Sequence, residues 1–213
     1  MYDLILFDLD GTLTNPEEGI TKSVQYALKA FGIEEDNQEK LKLFIGPPLV
    51  DGFMQFYNMS RENALLAVQK YRERFSDIGI YENEMFEKVP QMLDALKRNG
   101  KKVALATSKP FIYAQRILKH FGIDKYFDIV VGAELDGTRN EKAEVIKEVL
   151  SRAKNYQSAV MVGDRKQDLI GAYKNNIPCI GVSFGFAPDG ELEENGALEI
   201  ADSISKLLEI LLK

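Results

Sequence analysis

The chain has 213 residues, of which 45% are hydrophobic and 28% charged, an ordinary composition for a soluble globular protein. This length fits one large domain, or one domain that carries an insertion. The net charge is -6, from 27 basic and 33 acidic side chains, and there is no basic tract. We therefore expect the protein to bind neither nucleic acid nor anionic membrane surfaces.

The sequence gives no membrane or targeting signal. No apolar run approaches the ~20 residues that a membrane helix needs. The first residues lack a cationic start and a small-residue cleavage site, so we expect no signal peptide. The single cysteine, Cys179, lies in an apolar run and is expected to be a buried thiol. Together these features predict a cytoplasmic protein.

Five short apolar runs alternate with amphipathic helical patterns along most of the chain. Continuous apolar runs are typical of strands that are covered on both faces, as in a parallel sheet. Alternating strands and helices imply right-handed crossovers. We therefore predict an α/β fold with a doubly wound, Rossmann-like parallel sheet. The predicted strands cover residues 4–7, 103–106, 129–131, 159–162 and 180–182.

Residues 10–85 break this alternation, because their patterns predict helices and no strand. One pattern places Ile20, Val24 and Leu28 on a single helical face. A block of helices inserted after the first strand is typical of a separate small domain. We predict a helical domain at 15–85 and a catalytic core formed by 1–14 and 86–213.

The strongest local signal is Asp8-Leu9-Asp10-Gly11-Thr12, directly after the first predicted strand. Two carboxylates at a strand end can point into one crevice, and ligands bind outside the carboxyl ends of strands in open parallel sheets. Gly11 permits a tight turn and lets backbone amides approach an anion. The alternative is an ordinary Asp-Gly turn.

A second acidic cluster follows the fourth predicted strand. It consists of Asp164, after Gly163, and of Asp168 four residues later. Carboxylates grouped at a strand end suit a hard cation that prefers oxygen ligands. The alternative is a solvated turn in which Asp168 caps the following helix.

Thr107-Ser108-Lys109 follows the second predicted strand, where hydroxyls and amides can bind phosphate oxygens. The alternative is a helix N-cap. Lys142 begins a helical pattern, and taken alone it predicts a surface lysine. The carboxyl ends of parallel strands meet at one edge, however, so the separate signals are expected to share one site.

These motifs, in this order, resemble those of the haloacid dehalogenase-like hydrolase superfamily. The resemblance covers the whole chain, and the helical block looks like the cap domain of that family. Within it, the chain is most similar to the phosphoglycolate phosphatase group, with Gly181-Val182-Ser183-Phe184-Gly185 adding to the likeness. Three positions depart from frequent family residues: Ser108 in place of Asn, Ala143 in place of Pro and Gly171 in place of Ala.

The resemblance implies a magnesium-dependent phosphatase that hydrolyses a small phosphate monoester through an aspartyl phosphate on Asp8. Asp10 would act as the general acid and base. Small phosphorylated metabolites are the expected partners, and a monomer or weak homodimer the expected assembly. The implied catalytic residues are Asp8, Asp10, Thr107 and Lys142. The implied substrate-binding residues are Gly11, Thr12, Ser108 and Lys109, and the predicted loop at 45–48 adds Gly46. The implied Mg²⁺ site comprises Asp8, the backbone carbonyl of Asp10, Asp164 and Asp168, with Asp168 acting through a bound water or by orienting the other ligands.

Several alternatives stay open at this point. A nucleoside monophosphate phosphatase, a pyrophosphatase or a sugar phosphomutase would present the same phosphoryl site. A regulatory module that retains the motifs without turnover is a different class. Dehalogenation is disfavoured, because that reaction needs neither Asp10 nor Asp164. Residues 45–48 are predicted to form a substrate-facing loop, or else a plain connection between helices. Lys109 holds phosphate or the cap, or is only a surface charge.

Overall fold

The structure, a computed structural model, describes residues 2–213 and contains two compact units. Within the described residues, the core unit comprises 2–15 and 85–213, and the helical unit comprises Pro16–Glu84. Among the described residues, no helix combines the length and the apolar character that crossing a membrane requires.

The strands in chain order are β1 (Leu4–Phe7), β2 (Thr14–Asn15), β3 (Glu84–Met85), β4 (Lys102–Pro110), β5 (Ile129–Ala133), β6 (Ala159–Gly163), β7 (Cys179–Val182) and β8 (Ile200–Ala201). The α-helices are α1 (Glu17–Lys29), α2 (Gln38–Lys42), α3 (Leu49–Tyr57), α4 (Arg61–Arg74), α5 (Val89–Arg98), α6 (Phe111–His120), α7 (Lys142–Arg152), α8 (Lys166–Lys174), α9 (Glu191–Glu194) and α10 (Ile204–Leu212). A π-helical turn covers Phe75–Gly79, and a 3₁₀ turn covers Asp124–Tyr126.

The core unit contains a parallel sheet of six strands in the order β5-β4-β1-β6-β7-β8. β1 lies in its interior and pairs in parallel with β4 on one side and β6 on the other. All four residues of β1 are fully buried, as expected for a strand that is covered on both faces. The predicted doubly wound α/β sheet is therefore confirmed.

The prediction was wrong where elements are very short. β2 and β3 form a separate two-stranded sheet within the stretch expected to lack strands. β8 and α9 were not predicted either. Elements of two to four residues are too short to show a hydrophobic period, so only their partners define them. β4 also continues through Thr107 to Pro110, beyond its apolar run.

In the helical unit, α1 approaches the π-helical turn at a pair of glycines. The backbone N–H of Gly19 donates to the carbonyl of Glu82 at 3.0 Å. A Cβ atom placed on Gly19 would lie 1.9 Å from the carbonyl oxygen of Gly79. The absence of a side chain at position 19 is therefore what allows this close packing.

We expect Gly19→Ala to destabilise the helical unit. Helix propensity alone would favour alanine by about 1 kcal/mol, whereas forced overpacking costs about 1–3 kcal/mol. Because backbone, rather than a flexible side chain, blocks the new methyl group, the clash should dominate. Differential scanning calorimetry should show a lower unfolding temperature for this variant. Glu18→Ala, at the exposed neighbouring position, should change stability by less than about 0.5 kcal/mol. A higher unfolding temperature for Gly19→Ala would contradict the packing argument.

Candidate active site

Two adjacent strands place the acidic clusters side by side. β1 and β6 run in register, with Phe7 opposite Val162, and each ends just before an aspartate. The backbone N–H of Asp8 extends the pairing by donating to the Val162 carbonyl at 2.9 Å. One carboxylate oxygen from each of Asp8, Asp164 and Asp168 lies within 4.8 Å of the others, and all three residues are buried.

Lys142, the first residue of α7, supplies a positive charge to this cluster. Its Nζ lies 2.8 Å from Oδ1 of Asp8 and 2.9 Å from Oδ1 of Asp168. It also donates to the carbonyl of Ala106 at 3.1 Å. Apart from these contacts with Lys142, the two carboxylate oxygens have no hydrogen-bond partner within the described chain. Lys142 is only 6% exposed, so the surface-lysine alternative is wrong.

Burial and the neighbouring negative charges disfavour the charged forms of Asp164 and Asp168. Burial raises the pKa of Asp164 well above its usual range, and the charges of Asp168 and Asp8 add to that rise. Burial likewise raises the pKa of Asp168 to about 6, although Lys142 opposes the change. Burial would lower the pKa of Lys142, but Asp168 and Asp8 outweigh it and the pKa is raised. The single positive charge of Lys142 therefore does not balance the three carboxyl groups of the cluster.

Glycines permit the acids to pack against backbone. Gly11 has φ of 81°, and a Cβ atom there would lie 2.1 Å from Oδ2 of Asp164. A Cβ on Gly163 would lie 2.2 Å from Cγ of Asp168. Thr12 is fully buried, and its hydroxyl donates to Oδ1 of Asp164 at 3.3 Å. The Thr12 side chain therefore contacts a predicted metal ligand, while its predicted role toward substrate stays untested.

Asp10 and Lys109 form a second buried ion pair in the core unit. Nζ of Lys109 donates to Oδ2 of Asp10 at 2.5 Å, with the two side chains 6% and 13% exposed. Burial raises the pKa of Asp10, and the charge of Lys109 acts against that rise. The structure thus pairs Lys109 with Asp10, a contact that none of the predicted roles of this lysine included.

The remaining predicted site residues lie in β4 of the core unit and in the helical unit. Thr107 is buried in β4, and its Oγ1 accepts from the N–H of Lys109 at 3.2 Å. It does not cap α6, whose N-cap is Pro110, so that alternative is wrong. Ser108 lies beside Thr107 and is half-buried. Gly46 belongs to the helical unit, between α2 and α3, with φ of 105°, so any side chain there would strain the backbone.

Asp164 and Asp168 are also fixed by contacts that the sequence did not indicate. Oδ2 of Asp164 accepts from the N–H of Phe186 at 2.9 Å. Oδ2 of Asp168 accepts from the N–H of Arg165 at 3.1 Å. The capping role considered for Asp168 is thus correct, and the residue also belongs to the acidic cluster. The only motif noted next to Phe186 was Gly181-Val182-Ser183-Phe184-Gly185, which indicated a family resemblance but no contact with Asp164.

The part of the chain that carries these acids and Lys142 matches a known family. Residues 5–182 match the family model described as haloacid dehalogenase-like hydrolase. The chain therefore belongs to the haloacid dehalogenase-like hydrolases, as its motifs indicated.

Individual relatives are similar over most of the chain. A 5'-nucleotidase of Pseudomonas aeruginosa is 45% identical over 211 residues, which cover 99% of this chain and 96% of the relative. The tyrosine-protein kinase PtkA of Mycobacterium tuberculosis is 35% identical over 185 residues, covering 86% of this chain and 62% of that protein. The crystal structure of a predicted phosphatase from Clostridium acetobutylicum matches with a TM-score of 0.95 and 43% identity, covering 100% of this chain and 99% of that one. Family and relatives together support a hydrolase of the phosphatase class.

We expect Lys142→Met to destabilise the protein by about 3–5 kcal/mol, because removing one partner leaves buried carboxylates without their cation. The loss should shrink as the pH falls, since protonation removes the charge of the orphaned acids. Urea unfolding at two pH values measures both effects. Lys174→Met is the matched control, because its ion pair with Glu141 is exposed and should contribute less than about 1 kcal/mol. Equal losses for both variants would show that the buried pairs around Lys142 do not support the fold.

Proposed function

We propose that this protein is a magnesium-dependent phosphatase that hydrolyses small phosphate monoesters through a covalent phosphate on Asp8. The observation that carries the proposal is the position of the Asp8 carboxylate. It lies 2.8 Å from the buried ammonium of Lys142 and within 4.8 Å of two further buried carboxylates. A nucleophile, a fixed positive charge and a set of hard oxygen ligands thereby share one edge of the sheet.

The residues at this edge fit Mg²⁺. The donors are carboxylate oxygens, which hard divalent cations prefer, and among the described residues Lys142 alone makes polar contacts with Oδ1 of Asp8 and Oδ1 of Asp168. Asp8, Asp164 and Asp168 would hold the ion, and the family resemblance adds the backbone carbonyl of Asp10. When bound, the ion supplies positive charge that reduces the repulsion between a carboxylate and a phosphate dianion.

The chemistry then follows from the side chains of the chain itself. An Asp8 oxygen attacks phosphorus, and the bond from phosphorus to the leaving oxygen breaks. Asp10 donates its proton to that oxygen, so the alcohol departs neutral. Asp10 then accepts a proton from a water that attacks the phosphorus of the acyl phosphate, which releases inorganic phosphate and restores Asp8. Lys142 offsets phosphoryl charge during both steps.

Phosphoryl oxygens that Lys142 does not contact need other partners. We assign them to the hydroxyl of Thr107 and to backbone amides near Gly11, with Ser108 beside them. Because these groups recognise only phosphate, selection of the leaving group falls to other residues. We propose that the helical domain at 15–85, including Gly46, performs it as a cap, and that the chain works as a monomer or weak homodimer.

For the leaving group we propose a nucleoside, and hence nucleoside 5'-monophosphates as substrates. The support is the 5'-nucleotidase of Pseudomonas aeruginosa, which shares 45% identity with nearly the full length of this chain. Phosphoglycolate, which the motifs favoured, and pyrophosphate are the competing candidates for the same phosphoryl site.

We expect Asp8→Asn to lower kcat by about three orders of magnitude or more, because an amide cannot act as the nucleophile. Borohydride added to acid-quenched enzyme during turnover should convert residue 8 to homoserine, the reduction product of an acyl phosphate, as mass spectrometry of the peptide can show. Asp189→Asn, an exposed change, should retain wild-type kcat. Near-normal kcat in Asp8→Asn would refute the mechanism, and full activity in excess chelator would remove magnesium from it.

A panel of phosphate compounds tests the substrate class. We expect kcat/KM for nucleoside 5'-monophosphates to exceed that for phosphoglycolate and pyrophosphate by about tenfold or more, equivalent to about 1.4 kcal/mol of transition-state discrimination. Nucleoside 3'-monophosphates are the matched control, because they keep the leaving nucleoside but move the phosphate. A first rank for phosphoglycolate or pyrophosphate would contradict the nucleotide proposal and leave the phosphatase chemistry intact.

A further inference from the structure

The turn between β6 and α8, which separates Asp164 from Asp168 in the first turn of α8, is tied to α9 by a buried ion pair. Nε of Arg165 donates to Oε1 of Glu191 at 3.0 Å, and the two side chains are only 10% and 9% exposed. The same Glu191 oxygen accepts from the backbone N–H of Lys166 at 3.0 Å. Oε1 of Glu191 thus accepts hydrogen bonds from two consecutive residues, Arg165 and Lys166.

Arg165 connects this anchor directly to the acids. Its side chain reaches Glu191, while its backbone N–H donates to Oδ2 of Asp168 at 3.1 Å. Asp164 precedes it in the chain. A shift of Arg165 would therefore move the carboxylates on both sides of it, which lie within 4.8 Å of each other and of Asp8.

The segment after β7 also contacts Asp164 from another direction. The N–H of Phe186 donates to Oδ2 of Asp164 at 2.9 Å. A Cβ atom on Gly185 would lie 2.4 Å from Cβ of Asp164, so the Gly185 backbone packs directly against the Asp164 side chain. Glu191 follows in the same segment, which therefore positions Asp164 through one contact and Asp168 through another.

The energetics favour a positioning role for the Arg165–Glu191 pair over a purely stabilising one. Burying two charges costs desolvation energy that their attraction only partly returns, so a buried ion pair adds little net stability compared with an apolar pair, even though removing one partner is costly. Asp164 and Asp168 repel each other and Asp8, and this repulsion favours separation of the three side chains when no cation is bound. The Arg165–Glu191 pair lies outside the cluster. By fixing Arg165, it opposes that separation and keeps the carboxylate oxygens of Asp164 and Asp168 close together.

We propose that Glu191 is a positioning residue which, through Arg165 and the Lys166 amide, holds Asp164 and Asp168 in the arrangement that binds a divalent cation. The inference rests on the proposed function, in that it requires the magnesium site. Outer partners that orient metal ligands commonly change metal affinity by about 10- to 100-fold when they are removed.

Isothermal titration of the full-length protein with MgCl₂ tests this role directly. We expect Glu191→Ala to raise the Kd for Mg²⁺ about tenfold or more, while kcat at saturating Mg²⁺ stays within about threefold of wild type. Glu191→Gln retains an acceptor oxygen and should give a smaller rise in Kd. Glu193→Ala is the matched control, because it removes one exposed negative charge from the same helix and should leave Kd unchanged.

Arg165→Ala extends the test to the other partner. If the two side chains act as a unit, the Arg165→Ala, Glu191→Ala double variant should raise the Kd no further than the larger single effect. Unfolding temperatures measured without Mg²⁺ show which variants are folded. If Glu191→Ala is unfolded, the Kd of Glu191→Gln for Mg²⁺ tests the positioning role instead: a raised Kd supports it, and a wild-type Kd overturns it.

The outcomes separate this inference from the proposed function. A purely structural role would lower the unfolding temperature of Glu191→Ala and leave its Kd for Mg²⁺ at the wild-type value, which would overturn the inference alone. Wild-type protein that binds Mg²⁺ no better than Asp164→Asn would overturn the magnesium site and the inference together. A raised Kd for Glu191→Ala beside a normal Kd for Glu193→Ala supports both.

Discussion

The site depends on how the fold holds mutually repelling carboxylates together at one edge of the sheet. Three buried aspartates, Asp8, Asp164 and Asp168, lie within 4.8 Å of one another, and Lys142 contacts two of them. Such a group of charges is costly in a protein interior unless cations or protons balance it. The raised pKa values of Asp164 and Asp168 show how incompletely the lysine does so. That same excess of carboxylate groups over cations is the basis for the Mg²⁺ site that we propose at this edge.

The fold creates this arrangement by limiting how the acids can move. β1 is fixed between β4 and β6, so Asp8 and Asp164 emerge from neighbouring strands at the same level. Gly11 brings backbone to within contact distance of the Asp164 carboxylate, where a side chain would collide. The rigidity of the sheet and the tight packing of the loops therefore resist repulsion that would otherwise separate the acids. Preorganisation of this kind is the main contribution a protein makes to phosphoryl transfer.

The proposed function separates phosphoryl chemistry from substrate choice. In that proposal the groups at the sheet edge bind a phosphoryl group and its charge, while membership of the haloacid dehalogenase-like hydrolases does not by itself specify the leaving group. The relatives carry the names of a nucleotidase, a phosphatase and a kinase on similar chains, as expected when one fold hosts several functions. Under the proposed function, residues outside the acidic cluster select the leaving group, and we propose the helical unit for that role.

The sequence by itself determined the α/β class, the buried strands and the position of Asp8, Asp10 and Asp164 at strand ends. Apolar runs and the residues that follow them are local features, and parallel strands bring their carboxyl ends to one edge. Only the tertiary structure decided that Lys109 pairs with Asp10 and that Glu191, within an acidic stretch typical of a solvated helix, is buried against Arg165. Those contacts join residues 99 and 26 positions apart, and no periodicity or spacing encodes them, because packing alone sets which distant side chains meet.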